Sequence, residues 1–572
     1  MKLNFIVVLF LMSNNLFAQL TIFEKSNGTQ TSTYFEAIAF YKSLNKTSSL
    51  INMVEKGPTD AGYPLHLVLV SADKKFKPTK WHTQNKVIIL INNAIHPGEP
   101  DGVDACMMLV RDICTKKIIL PNNVVLAIIP IYNIGGALNR NKYSRVSQNG
   151  PLEYGFRGNA QNLDLNRDFI KNDSKESQSF AQIFHWLNPD VFIDNHVSDG
   201  ADFQHTMTLI TTQYEKLGST AGTWLRNVFE PKIYESMAQK KWDVIPYVDF
   251  DAANFNKGID MFYEPPRYSS GYAALFGTFA FIPETHMLKP YKQRVLATYD
   301  LVQSIISITA KHGNELKKIR KKNIKELQNQ SSFALKWQID KSKQSLITFK
   351  GYAQDTAISL ATGLPKMFYN HNKPYTKQVI FYNYFTPINM VQKPSGYLIP
   401  AGWHEVLFRL KLNNVQYATL KKDTTILITY YKIESYKSRP IAYEKHHPNY
   451  AVKVQEVKDS IRFFKGDFII PLSQKNNRYI LETLEPTGED GFFVWNFFDA
   501  ILQQKEGYTD YRWEDIAANY LKTDTALQNK LTQKKMADTA FAKNANAQLD
   551  FIYKNSPYYE KVHNRYPVFK YF

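Results

Sequence analysis

The chain has 572 residues, 44% hydrophobic and 21% charged, with 35 Tyr, 37 Phe, two Cys and a formal net charge of +18. These are globular proportions with room for two to four domains. Two Cys exclude a disulfide-built scaffold and a cysteine metal site, and the scattered Lys residues argue against nucleic acid as the partner.

The opening segment "MKLNFIVVLFLMSNNLFAQL" places Lys2 before an apolar core and a small residue, Ala18, after it. It reads as a secretory signal peptide, 1–18, cleaved after Ala18 and too short to act as a stable membrane anchor. No Cys follows the core to carry a lipid, and no later apolar run reaches membrane length. An exported protein without disulfides fits a bacterial periplasm or exterior.

Residues 19–310 alternate apolar runs with helical patterns. "HLVLVSA" (66–72), "KVIILINN" (86–93), "NVVLAIIPIYN" (123–133), "DVFIDNH" (190–196), "TMTLITT" (206–212) and "TFAFIPETH" (278–286) read as strands. The stretches 101–117, 174–188 and 213–240 read as helices between them. Continuous apolar strands separated by helices predict an α/β domain, a mixed, mostly parallel sheet flanked by helices. Cys106 and Cys114 fall on one predicted helix, about 12 Å apart and too far for a disulfide. Residues 290–325 form a long amphipathic helix, of which 311–330 reads as a basic, solvated linker. From 331 to 475 the strands are short, alternating and aromatic, as in a sandwich-like accessory domain suited to a cell surface or glycan. Residues 476–572 read as mixed and helical.

Strand ends carry the chemistry. "KVIILINN" runs into His96 and Glu99, "DVFIDNH" ends in His196 and "TFAFIPETH" carries Glu284. The stretch "NLDLNRDF" (162–169) delivers Asn166 and Arg167. Sheets of this class place ligands at the carboxyl ends of their strands. Two His and one carboxylate leave a fourth zinc position open for water, and a Glu nearby would take that water's proton. A planar guanidinium beside an Asn suits a carboxylate.

The segments "HPGEPDG", "NLDLNRDF", "DNHVSDG" and "FIPETHML" together resemble the zinc carboxypeptidase family, the carboxypeptidase A type. The resemblance implies a mixed eight-stranded sheet and one zinc per chain on His96, Glu99 and His196. It implies Glu284 as general base and acid, Asn166 and Arg167 on the substrate's terminal carboxylate, and Asp164 orienting His96. It also implies an Arg at the scissile carbonyl, with Arg145 favoured over Arg140 and Arg157. A Tyr covers the substrate in such enzymes; Tyr268 and Tyr272 are the candidates, with Tyr263 nearby. His205 and His286 read as bystanders. The expected activity is release of C-terminal residues from peptides or proteins. The alternatives are a zinc amidase or acylase on cell-wall peptides or small amino-acid conjugates, and a binding protein with a hydrolase-like domain that no longer turns over.

Overall fold

A computed structural model describes residues 19–248 and 257–572, so the expected signal peptide at 1–18 lies outside the described residues. The apolar runs form the strands of one sheet: β1 (Ile51–Pro58), β2 (Pro64–Ser71), β3 (Val87–Asn92), β4 (Val124–Ile129), β5 (Val191–Asp194), β6 (His196–Ser198), β7 (Met207–Thr211) and β8 (Val244–Pro246). After β9 (Ile259–Asp260), which pairs elsewhere, β10 (Phe279–His286) completes it. The order is β1-β2-β4-β3-β5-β10-β7-β8, with β6 paired to β10 beyond the end of β5. Strands β4, β3, β5 and β10 run parallel at the centre; β1, β2 and β7 join antiparallel. Every residue of β3, β4 and β5 is buried, as expected of strands covered on both faces. This is the mixed, mostly parallel sheet the sequence predicts.

The parallel centre decides where the site lies. Strands β3, β5 and β10 point their carboxyl ends the same way, so the residues after β3, in β6 and late in β10 gather on one edge. Within β10 and β6, Glu284 is paired directly with His196. The helix Asp101–Cys114 starts immediately after the β3 turn and is buried along almost its whole length. Cys106 and Cys114, both on it, are free thiols.

The long helix runs Tyr291–Asn329, 39 residues, and its second half differs from a solvated linker. Leu316, Arg320, Asn323 and Leu327 are buried. Arg320 donates to Gly277 O, Asn188 Oδ1 and Asp190 Oδ1, and Asp190 also takes the Ile88 N–H of β3. A guanidinium has five donors in a fixed fork and can be buried when carbonyls and one carboxylate meet them. Composition alone hides this, because Arg320 sits among Lys residues that do face solvent.

The β-rich sequence divides. Strands β11 (Ser332–Ile339) and β14 (Phe385–Gln392) pair antiparallel, and the long hairpin β12 (Ser345–Ile358) and β13 (Pro365–Tyr382) takes β9 alongside β13. These belong to the same compact unit as the large sheet, which comprises the described residues up to Lys393 with Phe408–Val415 and Ser473–Leu481. The second unit holds 394–407, 416–472 and 482–572. The expected 331–475 region is therefore cut at Lys393, because β9 and the 203–205 segment bond into the hairpin: Gln204 donates to Gly351 O and Tyr375 O. The second unit is an antiparallel sheet of β15 (Gly396–Ile399), β16 (Ala418–Thr419), β17 (Thr424–Ser438), β18 (Asn449–Phe463), β19 (Phe468–Pro471) and β20 (Phe569–Tyr571). Its helices surround Trp513, Phe541 and Tyr553.

Candidate active site

At Ala94, φ 55°, the chain turns out of β3, and a tight turn bonds Glu99 N to His96 O at 2.8 Å. Gly98 has no substitute here: a Cβ would meet Arg145 Cδ at 2.4 Å. The turn aims two side chains at a third. His96 Nδ1 lies 3.2 Å from Glu99 Oε1, and His196 Nδ1 lies 3.1 Å from Glu99 Oε2. Ligand atoms of all three groups fall within 4.8 Å of one another, and all three residues are buried.

Each imidazole is backed by a carboxylate. His96 Nε2 meets Asp164 Oδ1 at 2.9 Å, and His196 Nε2 lies 3.3 Å from Asp194 Oδ2. Asp164 was expected from sequence; Asp194 was not, although it stands two residues before His196 and a period of two puts both on one side. The buried His96 Nδ1 has no hydrogen-bond partner. An orphaned buried ring nitrogen facing a carboxylate and a second imidazole is what a tetrahedral zinc with one open position requires, so these residues fit the metal. The electrostatics agree. Burial alone would raise the Glu99 carboxyl, yet His96 and Arg145 hold it well below the usual range. Burial opposes charge on His196, yet Asp194 and Glu99 push its pKa well above the imidazole range.

A cavity of about 240 Å³ opens beside the cluster. It is lined by His96, Glu99, His196, Glu284, Asn166, Arg167 and Tyr268, all named from sequence, and by Arg145 and Arg157. Burial, helped by Glu99 and Glu264 and opposed by His196, raises the Glu284 carboxyl to about 8. Asn166 and Arg167 come from a single turn, Leu165–Arg167, capped by Asp164. The Arg167 guanidinium stacks 4.3 Å over the Tyr268 ring.

The two arginines differ. Arg145 spends its nitrogens on protein acceptors: Nη1 on Glu99 at 2.9 Å, Nε on Gln148 at 2.6 Å and Nη2 on Val197 O at 3.5 Å. Arg157 is anchored by Nε on Asp164 at 2.9 Å, while its side chain is 45% exposed in the cavity wall. Arg157 Nη1 also lies 3.7 Å from Glu99 Oε1, so the two differ in exposure and in how fully their nitrogens are bonded, which favours Arg157 over the expected Arg145 for a substrate carbonyl.

Tyr272, expected to cover the substrate, does not line the cavity, and that expectation is corrected. It is fully buried among Phe169, Phe180, Phe184 and Phe276, with its hydroxyl on Asn413 Oδ1 at 2.6 Å. Tyr268 precedes the helix Ser269–Ala274 as its extended N-cap, so its ring does not follow the helix direction that takes Tyr272 into the core. Tyr263 packs on Phe385 instead. His205 and His286 are structural: His205 Nε2 accepts from Lys350 N, and His286 Nδ1 accepts from Leu288 N. Sequence reasoning missed Tyr247, Phe262 and Glu264, which also line the cavity. They lie in "GIDMFYEPPRYSS" and before it, where no period marks an element.

Residues 37–206 match the family described as zinc carboxypeptidase. Carboxypeptidase 2 of Trichophyton rubrum is 19% identical over 505 residues, 82% of this chain and 84% of its own. Carboxypeptidase 2 of Trichophyton equinum is equally 19% identical over 504 residues, again 82% and 84%. Among solved structures, a carboxypeptidase A from Shewanella denitrificans OS-217 aligns at 16% identity and TM-score 0.36, over 49% of this chain and 69% of that one. Carboxypeptidase A from Helicoverpa armigera aligns at 15% identity and TM-score 0.36, over 49% and 74%. Residues 37–206 thus match the zinc carboxypeptidase family, and this likeness marks the chain as a metallopeptidase hydrolase.

Proposed function

We propose that the protein is an exported carboxypeptidase that removes the C-terminal residue of peptides, with one zinc per chain on His96, Glu99 and His196. The observation that carries this reading is the shared cavity: the convergent His96–Glu99–His196 cluster and the Asn166–Arg167 turn line the same 240 Å³ space. Export rests on the N-terminal segment alone; no described helix is long and apolar enough to cross a membrane.

When bound, zinc supplies Lewis acidity toward the attacking water and the scissile carbonyl. Arg167, with Asn166 beside it, takes the substrate's terminal carboxylate, and Tyr268 stiffens Arg167 by stacking. This sets the distance from the chain end to the scissile bond. Glu284 accepts a proton from the attacking water as the new C–O bond forms, then passes it to the leaving nitrogen as the C–N bond breaks. Its raised pKa suits a group that must both take and return a proton near neutrality. Arg157 donates to the carbonyl oxygen as negative charge grows there. Arg145, with Gln148 behind it, holds Glu99 in place.

The test pairs zinc content with a chain-end requirement. Elemental analysis is expected to give about one zinc per chain, and peptides with a free C-terminus should be cut far faster than the same peptides amidated. Equal rates on both would replace this reading with an amidase of internal bonds.

A further inference from the structure

Among the residues lining the cavity, one buried carboxylate has no counterpart in the chemistry above. Glu264 is 5% exposed and belongs to a segment without regular structure between β9 and the helix Ser269–Ala274. Its Oε2 accepts both the Ser270 N–H and the Ser270 hydroxyl, which fixes the side chain against the helix start. Oε1 takes part in neither bond. No Lys or Arg pairs with it among the described residues. Glu284 in the same cavity has none either, but it has its place in bond cleavage; four other acids nearby do have a cation. Glu99 has Arg145, Asp164 has Arg157, Asp168 has Lys171 and Asp190 has Arg320, each within 3.4 Å. A buried carboxylate without a cation is costly, and burial accordingly raises its pKa.

The same cavity offers the rest of a cation's needs. Ile210, Tyr247 and Phe262 line it and provide apolar surface for methylene groups. Lys and Arg side chains lay their stems on such surface and present the charge at the end. We infer that Glu264 selects substrates whose C-terminal residue carries a cationic side chain, lysine or arginine, with the charged end on Glu264 and the stem on Phe262 and its neighbours. The inference rests on the carboxypeptidase reading above and names its substrate class. Glu264 is thus a specificity-determining residue rather than part of bond cleavage.

Two matched peptides, one ending in lysine and one in leucine, test it. Wild-type enzyme should cleave the lysine peptide with the higher kcat/KM. Glu264→Gln keeps a carbonyl oxygen for both Ser270 bonds but loses the charge, and should lower the Lys/Leu ratio of kcat/KM by about 30-fold or more. Free L-arginine should inhibit wild-type enzyme more strongly than L-leucine, and Glu264→Gln should erase the difference. A structural role for Glu264 would lower both peptides together and leave the ratio and the inhibition order unchanged, and that overturns the inference. A wild-type preference for leucine overturns it as well. Release of neither residue from either peptide by zinc-loaded wild type would defeat the carboxypeptidase reading instead.

Discussion

Two walls of one cavity are built on different terms. The wall that carries His96, Glu99, His196 and Glu284 comes from strand ends, and pairing between β6 and β10 sets Glu284 against His196. Each imidazole is held from behind by an acid. The wall that carries Tyr247, Phe262, Glu264 and Tyr268 comes from chain in which, among the described residues, the two residues of β9 are the only strand between β8 and the helix Ser269–Ala274. Strand-borne groups are fixed by a ladder of hydrogen bonds and suit steps that demand exact reach. Groups on irregular chain can be exchanged without disturbing the sheet, which suits selection among substrates. The first wall should therefore decide whether the bond breaks, and the second which bond is chosen.

The sharpest way to break this contrast is Glu284→Gln. The change keeps shape but removes the proton acceptor, so kcat should fall by roughly two to four orders of magnitude. Zinc content and peptide KM should stay close to wild type. If zinc is lost as well, Glu284 belongs with the ligands and the division of labour on this wall is wrong. Next in size is the arginine pair. Arg157→Ala should lower kcat by about 100-fold or more, as removal of one donor to a developing oxyanion does elsewhere. Arg145→Ala should act through Glu99, raising the zinc concentration needed for half-maximal activity. Metal titration of both variants reads the difference directly, and equal behaviour would remove the distinction drawn from their exposure.

The two walls also differ in how much of them can be read from sequence. The metal wall is legible because its residues follow apolar runs of strand length: "KVIILINN" announces His96, and "DVFIDNH" announces His196. Spacing fixes direction there, since a strand alternates faces. Asn166 and Arg167 are legible as a pair of types that suits a carboxylate. Choosing between Arg145 and Arg157 is different, because it depends on which acceptors each guanidinium meets, and Gln148 and Val197 O are tertiary partners. Tyr272 and Tyr268 lie four apart, and only the extended N-cap conformation at Tyr268 separates the cavity residue from the core residue. Glu264 carries no signal at all before the fold brings it into the cavity. At the level of domains, the β-rich texture after 331 was visible, but the pairing of β9 with β13 joins segments about 120 residues apart and is set by tertiary contact.

A smaller effect is expected behind the metal wall. Asp164 and Asp194 orient the two imidazoles without touching the cavity's centre, so Asp164→Asn or Asp194→Asn should cost about 10–100-fold in zinc affinity. Asp164→Asn should cost more, because Asp164 also holds Arg157 Nε and the Asn166 N–H. Competition with a calibrated chelator measures both. Unchanged zinc affinity in Asp194→Asn would mean that the 3.3 Å approach to His196 Nε2 contributes no orientation.

The smallest effect concerns an imidazole two residues beyond Glu284, and it runs opposite in sign to His196. His286 is buried, its Nδ1 accepts from Leu288 N at 3.2 Å, and its Nε2 meets Ala201 O at 2.8 Å, where it must donate. That arrangement needs the neutral ring. Burial lowers its pKa from 6.5 to about 4, with nearby Lys289 adding to the effect and the Ala201 bond and Asp202 opposing it. The unfolded chain therefore takes up a proton as pH falls through about 6.5, and the folded chain only near 4. Stability from this group is fully present above pH 6.5 and is lost as pH falls toward about 4. The full loss is roughly 3 kcal/mol, on the scale of 1.36 kcal/mol per pKa unit. Thermal unfolding followed at saturating zinc should show the midpoint of wild type falling through this window by several degrees more than that of His286→Gln, which has no proton to bind. Parallel pH profiles for the two proteins would show that the ring opens to water before the fold gives way, and that the end of β10 is looser than its hydrogen bonds imply.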